Sequence, residues 1–163
     1  MAQAEPQPAV AALMHYGERI VGCLERAETA ELAQNCIGIS AGICMSTETD
    51  GFTTLGMAFC LSAEREVWDD VLNRTYQDLI SGMRRVDAQE ADTFPEFANR
   101  EDSLRAAQRA WIPLRDADCS LEYALWGAGS MRQIAGAGCM LDRTAERVIY
   151  LTFLGHDMKG ENP

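Results

Sequence analysis

The stretch LRAAQRAWIPLRDADC, residues 104–119, decides the fold of this chain. Its apolar residues recur at steps of three and four, which places them on one side of an α-helix. They are Leu104, Ala107, Trp111 and Leu114. Asn99 is placed to cap this helix, with Asp102 three positions later. Pro113 lies inside the pattern and is expected to kink the helix, which continues to about Tyr123.

A second helical pattern precedes this stretch. Thr53 or Thr54 can cap a helix that runs to about Arg85. The apolar stripe of that helix consists of Leu61, Trp68, Leu72, Leu79 and Met83. The acidic residues 87–99 follow, and Pro95 within them disfavours a continuous helix. We therefore predict two long helices joined by an acidic linker.

The two ends of the chain carry helical patterns as well. Apolar residues recur at helical spacing from Pro8 to about Gln34, and residues 35–53 predict a loop. The glycine-rich residues 127–138 separate the central helices from a last helix, predicted over about 140–154. No convincing strand pattern appears. The sequence predicts an all-α protein, a helical hairpin or small bundle of about four helices.

The charge of the chain limits its partners. The 163 residues carry a formal net charge of -11 at pH 7. Nucleic acids and anionic membrane surfaces repel a protein of this sign, so we expect neither as a partner. No apolar stretch is long enough to span a bilayer, so we expect no membrane insertion. A basic protein partner, or plain solubility in water, fits this charge.

Six cysteines are spread along the chain, namely Cys23, Cys36, Cys44, Cys60, Cys119 and Cys139. An even number in a small domain is typical of disulfides formed in an oxidising compartment. A metal site is disfavoured because there is no Cys-x-x-Cys, and because His15 and His156 lie near the two ends. We therefore expect three disulfides and no cofactor. The chain starts without a secretory signal, so we expect a periplasmic or secreted protein whose signal peptide has been removed.

Three segments carry a resemblance to a known family. The first joins Thr54, Met57 and Cys60 to Asp69, Leu72, Asn73 and Tyr76. The second and most specific consists of Leu104, Ala107, Gln108, Trp111, Arg115, Asp116 and Cys119. The third is the glycine-rich connection to Cys139, followed by residues 144–147. In these motifs the chain resembles the LprI-type, lysozyme-inhibitor-like domain family of bacterial secreted proteins.

The resemblance implies a division of the chain and a set of disulfides. Residues 44–155 would form the family's all-α domain, residues 1–43 an N-terminal extension of helix and loop, and residues 156–163 a tail. The implied pairs are Cys119–Cys139 and Cys44–Cys60, which leaves Cys23 to bridge Cys36. The alternative pairing, Cys23–Cys60 with Cys36–Cys44, stays open at this point.

The polar residues of these motifs are expected to be mainly structural. Asp69 and Asn73 share one helix face, and Gln108, Trp111 and Arg115 share another. We predict that some of these polar groups meet between the helices, with Arg115 bonding a carboxylate or a carbonyl. If Arg115 is buried it needs such a partner, because an isolated buried charge is costly. A ligand-binding role for the same residues is the alternative.

No catalytic motif is visible, so we expect a binding protein and not an enzyme. The resemblance implies inhibition of basic, lysozyme-type cell-wall hydrolases. Acidic loops can enter the cleft of such an enzyme, and the candidate contacts are Glu48, Asp50, Asp87, Glu90, Asp92 and Glu96. The alternative is a structural or assembly module of the cell envelope that binds another protein through the apolar face of the first helix.

Overall fold

The computed structural model describes residues 5–159, and the regular elements in this range are all helical. The α-helices, in chain order, are α1 (Pro8–Ala11), α2 (Glu18–Arg26), α3 (Ala30–Ala33), α4 (Ile39–Thr47), α5 (Thr54–Glu90), α6 (Arg100–Leu125) and α7 (Met131–Lys159). Short 3-10 helices lie at Met14–Gly17, Gln34–Cys36 and Pro95–Phe97. The predicted all-α fold is confirmed.

The long helices α5, α6 and α7 form the body of the protein. The chain reverses twice, over residues 91–99 and 126–130, so α6 runs antiparallel to its two neighbours. Contacts between α6 and α7 agree with this direction, because Cys119 is bonded to Cys139 and Gln108 lies against Arg147. It follows that α5 and α7 run in the same direction.

The core lies mainly between α5 and α7. Trp68, Val148 and Leu151 are completely buried there. The same cluster contains Ile20, Leu24, Leu72, Leu79, Ile80, Met83, Leu104, Leu141 and Ile149. Burial of each large apolar side chain contributes roughly 1.5–3 kcal/mol before the loss of conformational entropy is subtracted. Ile20 and Leu24 belong to α2, so this apolar face packs on the body and does not offer a free interface.

The N-terminal segment is more broken than its periodicity suggests. The prediction of one helix from Pro8 to about Gln34 is wrong, because α1, α2 and α3 are separate. At the first break Gly17 lies so close to α5 that an added Cβ would collide with the Val67 side chain. The loop predicted over residues 35–53 is also wrong, since it contains α4. The many small and polar residues of α4 gave no apolar stripe from which this short helix could be predicted.

The long helices extend further than their apolar stripes. As predicted, the Thr53 hydroxyl caps α5 by accepting a hydrogen bond from the backbone N–H of Gly56 at 3.0 Å. The helix then continues to Glu90, beyond the predicted end at about Arg85. The predicted start of the last helix is wrong, because α7 begins at Met131 and includes most of the glycine-rich segment. Only the turn of residues 126–130 interrupts the helices there.

Helix α6 is held to the body at few points. Leu104 and Cys119 are its buried residues, and residues 120–130 are exposed throughout. The predicted buried face is therefore wrong at Leu114, which is 59% exposed, and at Ala107. Helix α6 packs mainly against α7, so a narrow stripe of its surface is covered and the rest faces solvent.

Three disulfides connect neighbouring elements in the described part of the chain. Cys23–Cys36 ties α2 to the second 3-10 helix, Cys44–Cys60 ties α4 to α5, and Cys119–Cys139 ties α6 to α7. The structure contains the pairs that the resemblance implied, and Cys23–Cys60 with Cys36–Cys44 is not found. Each bridge restricts the unfolded chain and so favours the folded state.

A buried carboxylate orients α4 on α5. Glu64 is 2% exposed, and its oxygens accept hydrogen bonds from the backbone N–H groups of Gly38 at 2.7 Å and Ala41 at 2.6 Å. The indole N–H of Trp68 donates a third bond at 3.0 Å. The first N–H groups of a helix have no partner within it, and the helix dipole favours a negative charge at that end. Glu64 therefore replaces a local cap for α4.

Candidate functional site

The two acidic loops proposed as contact sites lie at opposite ends of one helix. Residues 48–53 precede α5 and residues 91–99 follow it. Helix α5 has 37 residues, which corresponds to about 55 Å at 1.5 Å per residue. The two loops therefore form two separate surfaces, and one enzyme cleft cannot take both. The segment of residues 91–99 is called the acidic tip below.

The acidic tip presents two carboxylates and two aromatic rings to solvent. Asp92 and Glu96 are exposed. Phe94 is 51% exposed and Phe97 is 59% exposed, and their ring centroids are 6.4 Å apart. Both rings are therefore only weakly anchored to the body of the protein. Exposed phenylalanines surrounded by acids are a feature expected of a surface that binds a protein.

A network of ion pairs and hydrogen bonds supports the acidic tip from below. The Arg100 guanidinium bonds Glu90 at 2.7 Å and Asp87 at 3.2 Å. The Asp87 carboxylate also accepts hydrogen bonds from the backbone N–H groups of Arg100 at 3.2 Å and Glu101 at 2.9 Å. Asp87 therefore caps α6. The side chain of Asn99, predicted as the cap, makes no such bond to the helix.

This network removes two of the six acidic candidates from the free surface. Asp87 and Glu90 are bound within the protein, whereas Asp92 and Glu96 remain exposed. The sequence could not separate these pairs, because all four acids lie in one polar stretch. Their role in binding a partner stays a prediction for Asp92 and Glu96 at this end of the molecule.

The carboxylates beneath the acidic tip are held in their ionised form. Hydrogen bonds from Arg84 and Arg105 lower the pKa of the Glu101 carboxyl to about 2. The backbone N–H of Glu101, followed by the contacts with Arg100, lowers the pKa of Asp87. Ionised forms are favoured because each carboxylate faces several donors.

We expect Glu101→Gln to lower the melting temperature at pH 7 and to lose this effect in acid. The ordinary pKa of about 4.5 falls to about 2 on folding, so the carboxylate stabilises the fold above pH 4.5. That stabilisation disappears as the pH falls towards about 2. Circular dichroism melts across this range measure it, with the exposed Glu28→Gln as control. If Glu101→Gln lowered the melting temperature by the same amount at pH 7 and near pH 2, the prediction would be wrong.

The loop at the other end of α5 also combines acids with an exposed ring. Glu48 accepts a hydrogen bond from the Tyr16 hydroxyl at 2.8 Å, which raises the pKa of that phenol. Asp50 is exposed, and Phe52 is 71% exposed. This loop has a single ring, and no arginine bonds its acids among the described residues. It provides a control of similar composition for the acidic tip.

Of the polar groups predicted to meet between helices, Gln108 makes such a contact, but its partner lies outside the predicted set. Arg115 does bond a carboxylate, but it is that of its neighbour Asp116, at 2.8 Å. The contact between helices joins Gln108 to Arg147, whose Nε donates to Gln108 Oε1 at 3.0 Å. Arg147 was missed because it lies on α7, far along the chain from Gln108.

The residues of the first resemblance motif lie on α5. Leu72 is buried, and Tyr76 packs on the same core cluster. Asn73 donates to the backbone carbonyl of Asp69 at 2.9 Å and faces its carboxylate at 3.4 Å. Asp69 and Asn73 therefore contact each other within one helix. That these residues are mainly structural stays a prediction.

Residues 5–159 contain neither a candidate metal centre nor a helix that could span a membrane. No group of three or more His, Cys, Asp or Glu side chains in this range could hold a metal ion. None of the helices in this range is both long enough and apolar enough to cross a bilayer.

Comparison with known proteins assigns the chain to a family. The family described as "Lysozyme inhibitor LprI" matches residues 44–151. An uncharacterized protein of Rhizobium meliloti (strain 1021) is 30% identical over 97 residues, which cover 60% of this chain and 70% of the relative. No solved structure matches significantly. The match spans the disulfides Cys44–Cys60 and Cys119–Cys139 together with the motif residues of α5 and α6, so this chain belongs to the LprI family.

Proposed function

We propose that this protein inhibits basic, lysozyme-type cell-wall hydrolases by binding them, without catalysing a reaction itself. The family description supports inhibition, and the net charge of -11 favours a basic partner. The three disulfides fit an oxidising compartment, so we place the protein in the periplasm or outside the cell.

The acidic tip is the observation that carries this proposal. Exposed carboxylates would attract a basic enzyme and speed association. The rings of Phe94 and Phe97 would then fill apolar subsites of the cleft, as buried aromatic anchors do in most protein interfaces. The Arg100 network holds the backbone in place beforehand, which lowers the entropy lost on binding.

We expect the oxidised protein to block lysis of bacterial cell walls by lysozyme at near-physiological salt, with one inhibitor per enzyme. Phe94→Ala/Phe97→Ala should raise the inhibition constant by at least about 30-fold, because anchor residues contribute about 2 kcal/mol or more. Asp92→Asn/Glu96→Gln should mainly slow association and weaken its dependence on salt. Turbidity of a cell-wall suspension measures both effects.

The double variant Asp50→Asn/Phe52→Ala is the matched control, since it removes one acid and one exposed ring at the far end of α5. It should inhibit like the wild type. If this control lost as much inhibition as the variants of the acidic tip, the acidic tip would not be the binding surface. Inhibition that vanishes with modest salt would mean non-specific attraction between opposite charges and would overturn the proposal.

A structural or assembly module of the envelope is the second candidate. The face of the first helix is covered by the core, but α6 offers another apolar face. Leu114, Leu121 and Leu125 share one side of α6 and are 59%, 60% and 70% exposed. An exposed apolar stripe of this kind favours binding to another protein. The turbidity assay separates the candidates, because an assembly module leaves lysis unchanged at every ratio.

A further inference from the structure

A groove between α6 and α7 combines two aromatic rings with three arginines. It measures about 220 Å³, and its lining includes Trp111, Arg115, Asp118, Arg143, Glu146 and Arg147. The groove lies in the middle of the α6–α7 pair, away from the acidic tip. Neither the family description nor the proposed inhibition assigns a role to it.

Two guanidinium groups stack on one indole in this groove. Arg115 Cζ lies 4.9 Å from the centre of the Trp111 ring, and Arg147 Cζ lies 5.6 Å from it. Arg147 Cζ is also 5.2 Å from the centre of the Tyr150 ring. Ring faces attract cations, so the two rings hold the Arg147 side chain in a defined position.

Arg147 differs from the other arginines of the groove in having no carboxylate partner among residues 5–159. Arg143 is 3.2 Å from Glu146 and 3.8 Å from Asp118, and Arg115 is bonded to Asp116. Arg147 has the neutral amide oxygen of Gln108 as its bonded acceptor. Its Nη2 atom is buried and has no hydrogen-bond partner. Arg147 is therefore the arginine of the groove that no carboxylate among residues 5–159 pairs with directly, even though Asp118 and Glu146 also line the groove.

Burial without a directly paired carboxylate is unfavourable for the guanidinium, and it lowers the pKa of Arg147. Arginine stays charged in proteins, so the group needs an anion and not the loss of its proton. Because Nε is bonded to Gln108 and Nη2 is buried, a ligand carboxylate would accept its charge-assisted hydrogen bond from Nη1. Leu114 and Tyr150, which are 59% and 56% exposed, provide apolar walls beside the charge.

We propose that this groove binds a carboxylate carried on a ring or another apolar body. The carboxylate accepts a hydrogen bond from Arg147 Nη1, and the apolar part of the ligand packs against Tyr150 and Leu114. Such a ligand could be a free small acid or an acidic side chain of a protein. Both have the same group at the site, and they differ in what is attached to it.

Benzoate is the probe for the first test, with benzamide as the neutral molecule of the same shape. In two-dimensional proton–nitrogen NMR, benzoate should shift the Trp111 indole N–H and the Arg147 Nε–H in a saturable way. Benzamide at the same concentration should leave both signals in place. This comparison needs no variant, so it does not depend on whether a mutant folds.

Variants then test the residue that we hold responsible. Arg147→Gln should weaken benzoate binding at least about tenfold, and Arg147→Lys should restore it in part, because lysine keeps the charge but loses the planar group that stacks on Trp111 and Tyr150. Arg109→Gln, on the exposed side of α6, is the control and should bind like the wild type. A glutamate with blocked termini, tested beside benzoate, distinguishes a protein side chain from a free small acid. Tighter binding of the blocked glutamate would indicate a protein side chain, and tighter binding of benzoate a small acid.

The proposal is overturned if benzoate causes no saturable shift, or if benzamide shifts the same signals equally. It is also overturned if folded Arg147→Gln binds benzoate as the wild type does. None of these outcomes depends on inhibition of lysozyme, because the assay contains no enzyme. The groove and the acidic tip can therefore be accepted or rejected independently.

Discussion

Replacing Glu64 by alanine is expected to destabilise the protein by about 4 kcal/mol. The substitution leaves two backbone N–H groups and one indole N–H without acceptors in a buried site. Each buried donor that loses its partner costs about 1–3 kcal/mol, and a bond to a charged group is at the upper end of that range. The start of α4 also loses the negative charge that faces its dipole.

Urea denaturation of the oxidised protein measures this loss directly. Glu66→Ala is the matched control, because Glu66 lies on the same helix two positions later and has no such set of backbone donors. Burial raises the pKa of Glu66, and Arg65 opposes that shift only in part. Folding therefore stabilises this carboxylate little, and its removal should be close to neutral.

A double-mutant cycle with Trp68→Phe separates the indole bond from the rest of the site. If Glu64 acts as described, the cycle should show a coupling of about 1 kcal/mol between Glu64 and Trp68. The larger part of the loss should remain in the Trp68→Phe background, because it arises from Gly38 and Ala41. A Glu64→Ala protein as stable as the Glu66→Ala control would show that α4 needs no buried cap.

The second large effect is expected from removal of the disulfide between α6 and α7. The variant Cys119→Ala/Cys139→Ala lacks the bridge between two cysteines that are 20 residues apart in the sequence. In the chain-entropy model, loss of this cross-link lowers the free energy of unfolding by about 3 kcal/mol. Residues 120–130 have no buried side chain, so little else holds this end of the molecule. We expect this end of α6 and the start of α7 to open first.

Hydrogen exchange locates the opening, and the variant Cys23→Ala/Cys36→Ala is its control. The control bridge has a sequence separation of 13 residues, so the entropic effect on the unfolded chain is similar. Its removal should leave amide protection around residues 112–140 unchanged, because Ile20 and Leu24 still anchor α2. Equal loss of protection there in both variants would contradict local opening and indicate global destabilisation alone.

Local patterns in the sequence determined the class of fold and much of the framework. Steps of three and four among Trp68, Leu72 and Leu79 predict α5, and Thr53 predicts its start, because both signals act within a few residues. The even number of cysteines predicts disulfides, because this signal depends on composition and not on the fold. The motifs around Gln108 and Trp111 point to the family that the comparison shows.

Only the tertiary structure decided which polar groups are bonded within the protein and which are exposed to solvent. Glu64 reaches Gly38, and Arg147 reaches Gln108, across separations of 26 and 39 residues. Periodicity within a helix reports which side of that helix is buried, but it contains no information on the neighbouring helix or its register. For this reason the sequence could not distinguish the bound Asp87 from the exposed Asp92, and it could not predict a half-buried arginine that lacks a carboxylate.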